Sequence, residues 1–249
     1  MISKHNEQLN WDRLVKSQVA IWEVKQQIKQ HSLSHPQEGF FKDAVITISR
    51  THGAGGDEVA REISNILNWQ IYDRELVEYI ARSGQVRQNI VQDLDERVQS
   101  ETHNYMLTVL SRNSMGFDKY FKLLHDVIVT IANEGQAIII GRGSNFIVDP
   151  QKSIRVMITA PLSYRIERIA REQNLSEKEA RKTVSLVDSN RFAFVHRYYH
   201  RNANDHTAYD LVLNAEHMEP QITARIIINA LSTKVSVLQK KHVEMEAAQ

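Results

Sequence analysis

Apolar residues fall in two rhythms along the chain. After residue 43 five short continuous apolar runs stand out, Val45–Ser49, Trp69–Tyr72, Ala137–Gly141, Ile154–Ala160 and Tyr209–Asn214. Unbroken runs of this length suit strands of a parallel sheet covered on both faces, where neither side of the strand meets water. Between them apolar positions recur at helical spacing. Val59, Ile63, Ile66 and Leu67 make one such face, and Leu162, Ile166, Ile169 and Ala170 another. Ser176 followed by Glu179 predicts a capping box opening a third helix. Pro220 with Ile222, Ile226 and Leu231 predicts a last helix beginning near the proline. Strands alternating with helices predict a doubly wound α/β sheet.

Three stretches lie outside this alternation. Residues 1–42 are polar, with Leu9, Leu14, Ile21, Trp22 and Ile28 at roughly helical spacing and a break from His31 to Gly39 around Pro36. They read as a helical extension and linker, either docked on the main domain or forming a homodimer or partner helix. Residues 74–135 contain no clear strand and read as a helical insertion. The tail at 233–249 is polar and is expected to fray.

Among the 249 residues are 31 Lys or Arg and 30 Asp or Glu, a net charge of +1, which argues against a general nucleic-acid binder but leaves room for a local phosphate pocket. The absence of cysteine excludes disulfides, iron–sulfur clusters and thiolate zinc sites. No signal pattern opens the chain and no apolar run approaches membrane length, so no membrane contact is expected and the cytoplasm is the default location.

The sharpest chemical signal is the glycine loop within residues 49–58, Ser49-Arg50-Thr51-His52-Gly53-Ala54-Gly55-Gly56-Asp57-Glu58, between an apolar strand and an amphipathic helix. Glycines let the backbone turn sharply and bring N–H groups to phosphate oxygens, and the helix adds its positive end. A tight turn without a ligand is the plainer alternative. The ordinary phosphate loop reads G-x-x-x-x-G-K-[ST]. With Gly55 on its second glycine, Arg50 stands on the first, Gly56 on the lysine and Asp57 on the hydroxyl residue. Asp57 and Glu58 then face incoming phosphate, and Arg50 and Arg142 are the nearest compensating cations in sequence.

Val45 to Arg74, with I-T-I-S-R-x-x-G-A-G-G and I-Y-D-R-E-L, resembles the start of the cytidylate kinase-like family. The resemblance continues through Ile138–Ile147, Ile154-Arg155-Val156, Ala160-Pro161, Arg165-Ile166-Glu167-Arg168, Asp188-Ser189-Asn190-Arg191 and Tyr209–Asn214, covering about residues 43–232. It implies a P-loop kinase-type three-layer sandwich with a five-stranded parallel sheet, a helical insertion over the monophosphate and a helical lid at about 174–206. It also implies ATP and a nucleoside monophosphate such as CMP as substrates, with Mg2+ accompanying ATP. Arg142 matches the arginine of the family's Gly-Arg-Asp motif, while Gly143 replaces its aspartate and Ile140 its acidic residue. Asp73, with Arg74 beside it, matches the acceptor side, and Asp188 and Arg191 match the lid.

Phosphoryl transfer needs positive charge around the equatorial oxygens, and arginine forks fit phosphate in bidentate fashion. Arg50, Arg142, Arg168 and Arg191 are therefore the catalytic candidates. Gly53, Ala54, Gly55, Gly56, Asp57 and Glu58 form the phosphate-binding candidates, Asp73, Arg74 and Arg142 the acceptor side, and Arg165, Asp188 and Arg191 the lid. Helical spacing puts Arg165 and Arg168 on one polar face, and would equally allow a surface ion pair between Asp188 and Arg191. Asp73 would alternatively cap a following helix. His196, His200 and His206 match no zinc motif, so no metal site is assigned to them. Tyr198 and Tyr199 read as packing residues or nucleobase contacts. A catalytically inactive nucleotide binder on the same fold is the competing reading, because the lysine, the hydroxyl and the carboxylate are all replaced.

Overall fold

A computed structural model describes residues 41–73 and 117–247, which lie in one compact unit, Phe41–Gln249. The predicted N-terminal helix, most of the insertion and Arg74 fall outside the described residues. The chain runs β1 (Val45–Arg50), α1 (Gly56–Leu67), β2 (Gln70–Tyr72), α2 (Phe117–Glu134), β3 (Ala137–Ile140), β4 (Ser153–Thr159), α3 (Leu162–Gln173), α4 (Glu177–Tyr199), β5 (Leu211–Asn214) and α5 (Pro220–Ala247). Among the described residues five strands form one sheet in the order β2-β3-β1-β4-β5. All four pairings are parallel, with β1 central, Ile48 opposite Ile140 on one side and Val156 on the other.

The side-chain period of two decides what each strand residue touches. Ile46, Ile48, Ile138, Ile140, Ile154, Val156 and Ile158 pack in one core with Val59, Ala60 and Ile63 of α1 and Ala224, Ile227 and Leu231 of α5. The alternate residues Val45, Thr47, Ala137 and Ile139 are buried as well, and α2 packs against β3. Helices therefore cover both faces, the condition under which strands lose their polar alternation. The result is the three-layer α/β fold expected from the sequence.

Local signals behave as their chemistry requires. Ser176 accepts from the Glu179 N–H while Glu179 accepts from the Ser176 N–H, so the capping box opens α4. The last helix begins at Pro220, but the polar tail expected from residue 233 needs correction. α5 continues to Ala247, Val235 packs on the core, and Lys234 Nζ donates to the Ser153 carbonyl and to Asp210. Asp210 also receives two hydrogen bonds from the Arg155 side chain. These tertiary partners carry the helix past the point where its own sequence turns polar.

Because the strands are parallel, their C-terminal ends and the loops that follow them share one edge. The glycine loop after β1, Arg142 after β3 and the start of α3 after β4 all stand there, where ligands enter α/β sheets.

Candidate functional site

The loop after β1 is built on two left-handed glycines. Gly53 has φ +81° and Gly55 φ +83°, a region side-chain-bearing residues avoid. Space gives a second reason for each. A Cβ on Gly53 would lie 2.9 Å from the Arg165 carbonyl oxygen, and one on Gly55 2.6 Å from Arg168 Nη1. Gly55 leads into α1 and no side chain caps that helix start. The first N–H groups of a helix have no partners within it, so a ready set of donors stands at the loop.

Both loop carboxylates are engaged by arginines. Asp57 accepts from Arg50 Nε at 3.1 Å, and Glu58 meets Arg168 Nη2 at 3.0 Å. Arg168 also donates to Glu172 at 2.6 Å. Burial works against the Arg168 charge, but the Glu172 hydrogen bond and the Glu58 charge outweigh it and hold its pKa above the ordinary value. The repulsion that Asp57 and Glu58 would offer to phosphate is thus offset by Arg50 of the loop and Arg168 of α3.

Arg165 departs from the exposed polar face that helical spacing predicts. It is buried. Its Nε donates to the Ala160 carbonyl, and its Nη1 donates to the His52 carbonyl and, at 2.6 Å, to Asp188 Oδ2. Asp188 Oδ1 accepts from the His52 N–H at 2.7 Å. The alternative of a surface pair between Asp188 and Arg191 is therefore corrected. Asp188 turns inward because Arg165 and the loop amide offer it buried donors, and Arg191 Nη1 donates to the Arg50 carbonyl at 3.0 Å. Arg165 and Arg168, one turn apart, serve different partners on either side of the loop.

Burial lowers the His52 pKa, and Arg191 adds to the effect while Asp188 and Asp57 oppose it. His52 Nε2 is buried without a hydrogen-bond partner among the described residues. Nothing in the sequence marked His52 as the point where α4 holds the loop.

Beside the loop lies a cavity of about 460 Å³ at the C-terminal ends of β1, β3 and β4. Arg50, Arg142 and Arg191 all line it, with Ser49 and Asn190 as further polar walls and Met157, Phe194 and Tyr209 among the apolar ones. Arg142 has a left-handed φ of +54°, and its guanidinium sits 4.6 Å from the centre of the Phe194 ring, within cation–π range. Its carbonyl accepts from the Tyr199 hydroxyl. Tyr199 also packs against Phe121 and Phe146, and Tyr198 stacks on Phe121, so both tyrosines are packing residues. The Tyr199 ring fills the space beyond Gly143, where a Cβ would lie 2.2 Å from Tyr199 Cε2. An aspartate cannot stand at 143 while Tyr199 holds this place.

The structure therefore brings Arg50, Arg142 and Arg191 together around one cavity and sets Arg168 on Glu58 and Gly55. Asp73 follows β2 and is not among the residues lining the cavity. Phe194 was not legible as a site residue, since only the fold brings it to Arg142.

A model of the cytidylate kinase-like family matches residues 45–217. A cytidylate kinase from Methanoregula boonei is 28% identical over 134 residues, 53% of this chain and 73% of its own length. One from Sulfolobus acidocaldarius is 26% identical over 190 residues, 76% of this chain and 94% of its own length. The solved structure of an uncharacterized protein from Eubacterium ventriosum shares the fold, with a TM-score of 0.64 and 19% identity over 77% of this chain and 99% of that one. Among the described residues no helix is long and apolar enough to cross a membrane.

Proposed function

Because this chain belongs to the cytidylate kinase-like family of kinase-like phosphotransferases, we propose that it transfers the γ-phosphoryl group of ATP to a nucleoside monophosphate such as CMP. The observation that carries the reading is the convergence of Arg50, Arg142 and Arg191 on one cavity beside the uncapped start of α1. Transfer of this kind is mostly positioning and charge stabilisation, so a cluster of guanidinium groups is the chemistry it needs.

In this reading the N–H groups at Gly55 and Gly56 and the positive end of α1 hold the triphosphate, with Arg168 fixing the outer side of the loop. A phosphate oxygen of the acceptor attacks the γ-phosphorus, the bond from that phosphorus to the β–γ bridging oxygen breaks, and ADP leaves. Arg142, fixed by Phe194 and Tyr199, orients the acceptor phosphate. Arg50 and Arg191 balance charge on the transferring group. Asp73 and Arg74 belong to the acceptor side.

Magnesium assists such transfers in ordinary phosphate loops, held by a loop hydroxyl and a carboxylate. Here the corresponding positions carry Asp57, paired with Arg50, and the buried Ile140. Among the described residues no group of three or more His, Asp or Glu could hold a metal ion. Neither position reproduces that pair of magnesium ligands, and in this reading the ion enters and leaves on the ATP phosphates as part of the substrate.

The test is direct. The full chain is incubated with ATP, magnesium and each common nucleoside monophosphate, and the products are separated by chromatography. A new diphosphate that disappears with Arg142→Ala supports the reading and names the acceptor. ATP binding without any diphosphate product would favour a second reading, a catalytically inactive nucleotide binder. The pairing of Arg50 with Asp57 and of Arg168 with Glu58 is what favours that alternative, since each cation at the loop already has an internal counter-ion.

A further inference from the structure

Gly56 stands in the first turn of α1, where its φ is not in the left-handed region and any residue could adopt the backbone. Glycine is disfavoured in helices, so conformation does not explain it. Space does. A Cβ at Gly56 would lie 2.8 Å from Arg50 Cβ and 3.0 Å from its Cγ. The stem of Arg50 occupies the volume into which a side chain at 56 would grow. At the other end of the same side chain, a Cβ on Gly141 would lie 2.8 Å from Arg50 Nη1. Two glycines thus flank one arginine, one at its stem and one at its tip.

In an ordinary phosphate loop the residue directly after the last loop glycine is a lysine that reaches the β/γ-phosphates. We propose that Arg50 supplies that cation in this chain, reaching the phosphates from the end of β1 rather than from the start of α1, with Gly56 as the residue that makes room for it. The assignment rests on the ATP reading above and gives one residue of that site its role.

Three features prepare Arg50 for it. Its side chain is mostly buried, at 15% exposure, which limits competition from water. Its carbonyl is fixed by Arg191 Nη1. Its guanidinium spans from Asp57 at the helix start to Gly141 at the end of β3, on the wall of the cavity. Asp57, 53% exposed, takes the Nε and Nη2 edge of the fork and leaves Nη1, on the Gly141 side, for a phosphate oxygen. A lysine, with one point charge, could not keep Asp57 and a phosphate together as a planar fork can.

The test exchanges the two positions. Binding of ATP and of inorganic tripolyphosphate to the full chain is measured by calorimetry at fixed salt, with thermal melting confirming that each variant is folded. Arg50→Ala is expected to weaken both ligands roughly ten- to a hundredfold, the range for losing a hydrogen bond between charged partners. Gly56→Lys alone is expected to weaken them too, because the new side chain collides with Arg50. The double variant Arg50→Ala/Gly56→Lys puts the cation back at the lysine position of the ordinary loop and is expected to bind to within about fivefold of the parent, less than one tenfold step of binding free energy. A folded Arg50→Ala variant that binds as the parent does overturns the assignment, as does a folded double variant that binds no better than Arg50→Ala. Absence of phosphoryl transfer with this binding pattern intact would refute the kinase reading and leave the Arg50 assignment standing. Normal transfer by Arg50→Ala would do the reverse. A parent chain that binds neither ligand overturns both.

Discussion

Replacing Asp188 by alanine removes the acceptor for two donors at once. The Arg165 guanidinium at 2.6 Å and the His52 N–H at 2.7 Å both lose their partner. Both side chains of the ion pair are only 11% exposed, so water cannot easily take the place of the carboxylate. Breaking a buried pair from one side costs about 3–5 kcal/mol, because the remaining charge stays buried and uncompensated. Counting instead two lost hydrogen bonds to a charged group, at roughly 1.5–3 kcal/mol each, gives a similar range. For a chain of this size each kcal/mol lowers the melting temperature by about 2–4 °C, so Asp188→Ala is expected to melt roughly 6–20 °C below the parent. The assay is thermal and urea unfolding of the parent, Asp188→Ala, and Asp188→Ala combined with Arg165→Met. The double variant should recover much of the loss, since its buried cation is gone. A loss below about 1 kcal/mol for Asp188→Ala, or a double variant no more stable than the single, would refute the reasoning from burial.

Three further outcomes follow from other contacts. Gly143→Ala should lose at least about 2 kcal/mol in urea unfolding, from left-handed strain and collision with Tyr199, and adding Tyr199→Ala should return part of it. Because burial and Arg191 lower the folded-state pKa of His52 below the ordinary 6.5, the unfolded chain takes up that proton first as the pH falls. Stability from this group is complete above about pH 6.5 and declines below it, so between about pH 7.5 and 5.5 the urea midpoint of His52→Gln should fall less than that of the parent. Ending the chain after residue 232 should lower the melting temperature, through loss of Lys234 from Asp210 and Ser153 and of Val235 from the core. A merely frayed tail would leave it unchanged.

The central strands were legible because burial on both faces leaves an unbroken apolar run, as in Ala137–Ile140. The capping box at Ser176 and the helix start at Pro220 were legible because each is written within four residues. Arg165 was not, since its partner Asp188 lies 23 residues on and helical spacing alone assigns a charged residue to the polar face. The fit of Tyr199 beyond Gly143 was equally out of reach, because the sequence shows a missing aspartate but not the ring that fills its place. The C-terminal end of α5 was misjudged for the same reason, as Lys234 finds its partners on β4 and just before β5 rather than along its own helix. Contacts within one turn can be read from a sequence, and contacts that depend on the tertiary path cannot.

α4 is pinned to the glycine loop near its middle, by Asp188 on His52 and by Arg191 on the Arg50 carbonyl. Its 23 residues give it a length of about 34 Å, so roughly 17 Å of rigid rod extends on either side of that fastening. One arm ends on α3, where Ala180 and Val184 pack on Ile166 and Ile169. The other ends at Tyr199, on the Arg142 carbonyl. Such a rod ties three separate places of the fold to one rigid element. The backbone around His52 and the seat of Arg142 are thereby held by one and the same helix.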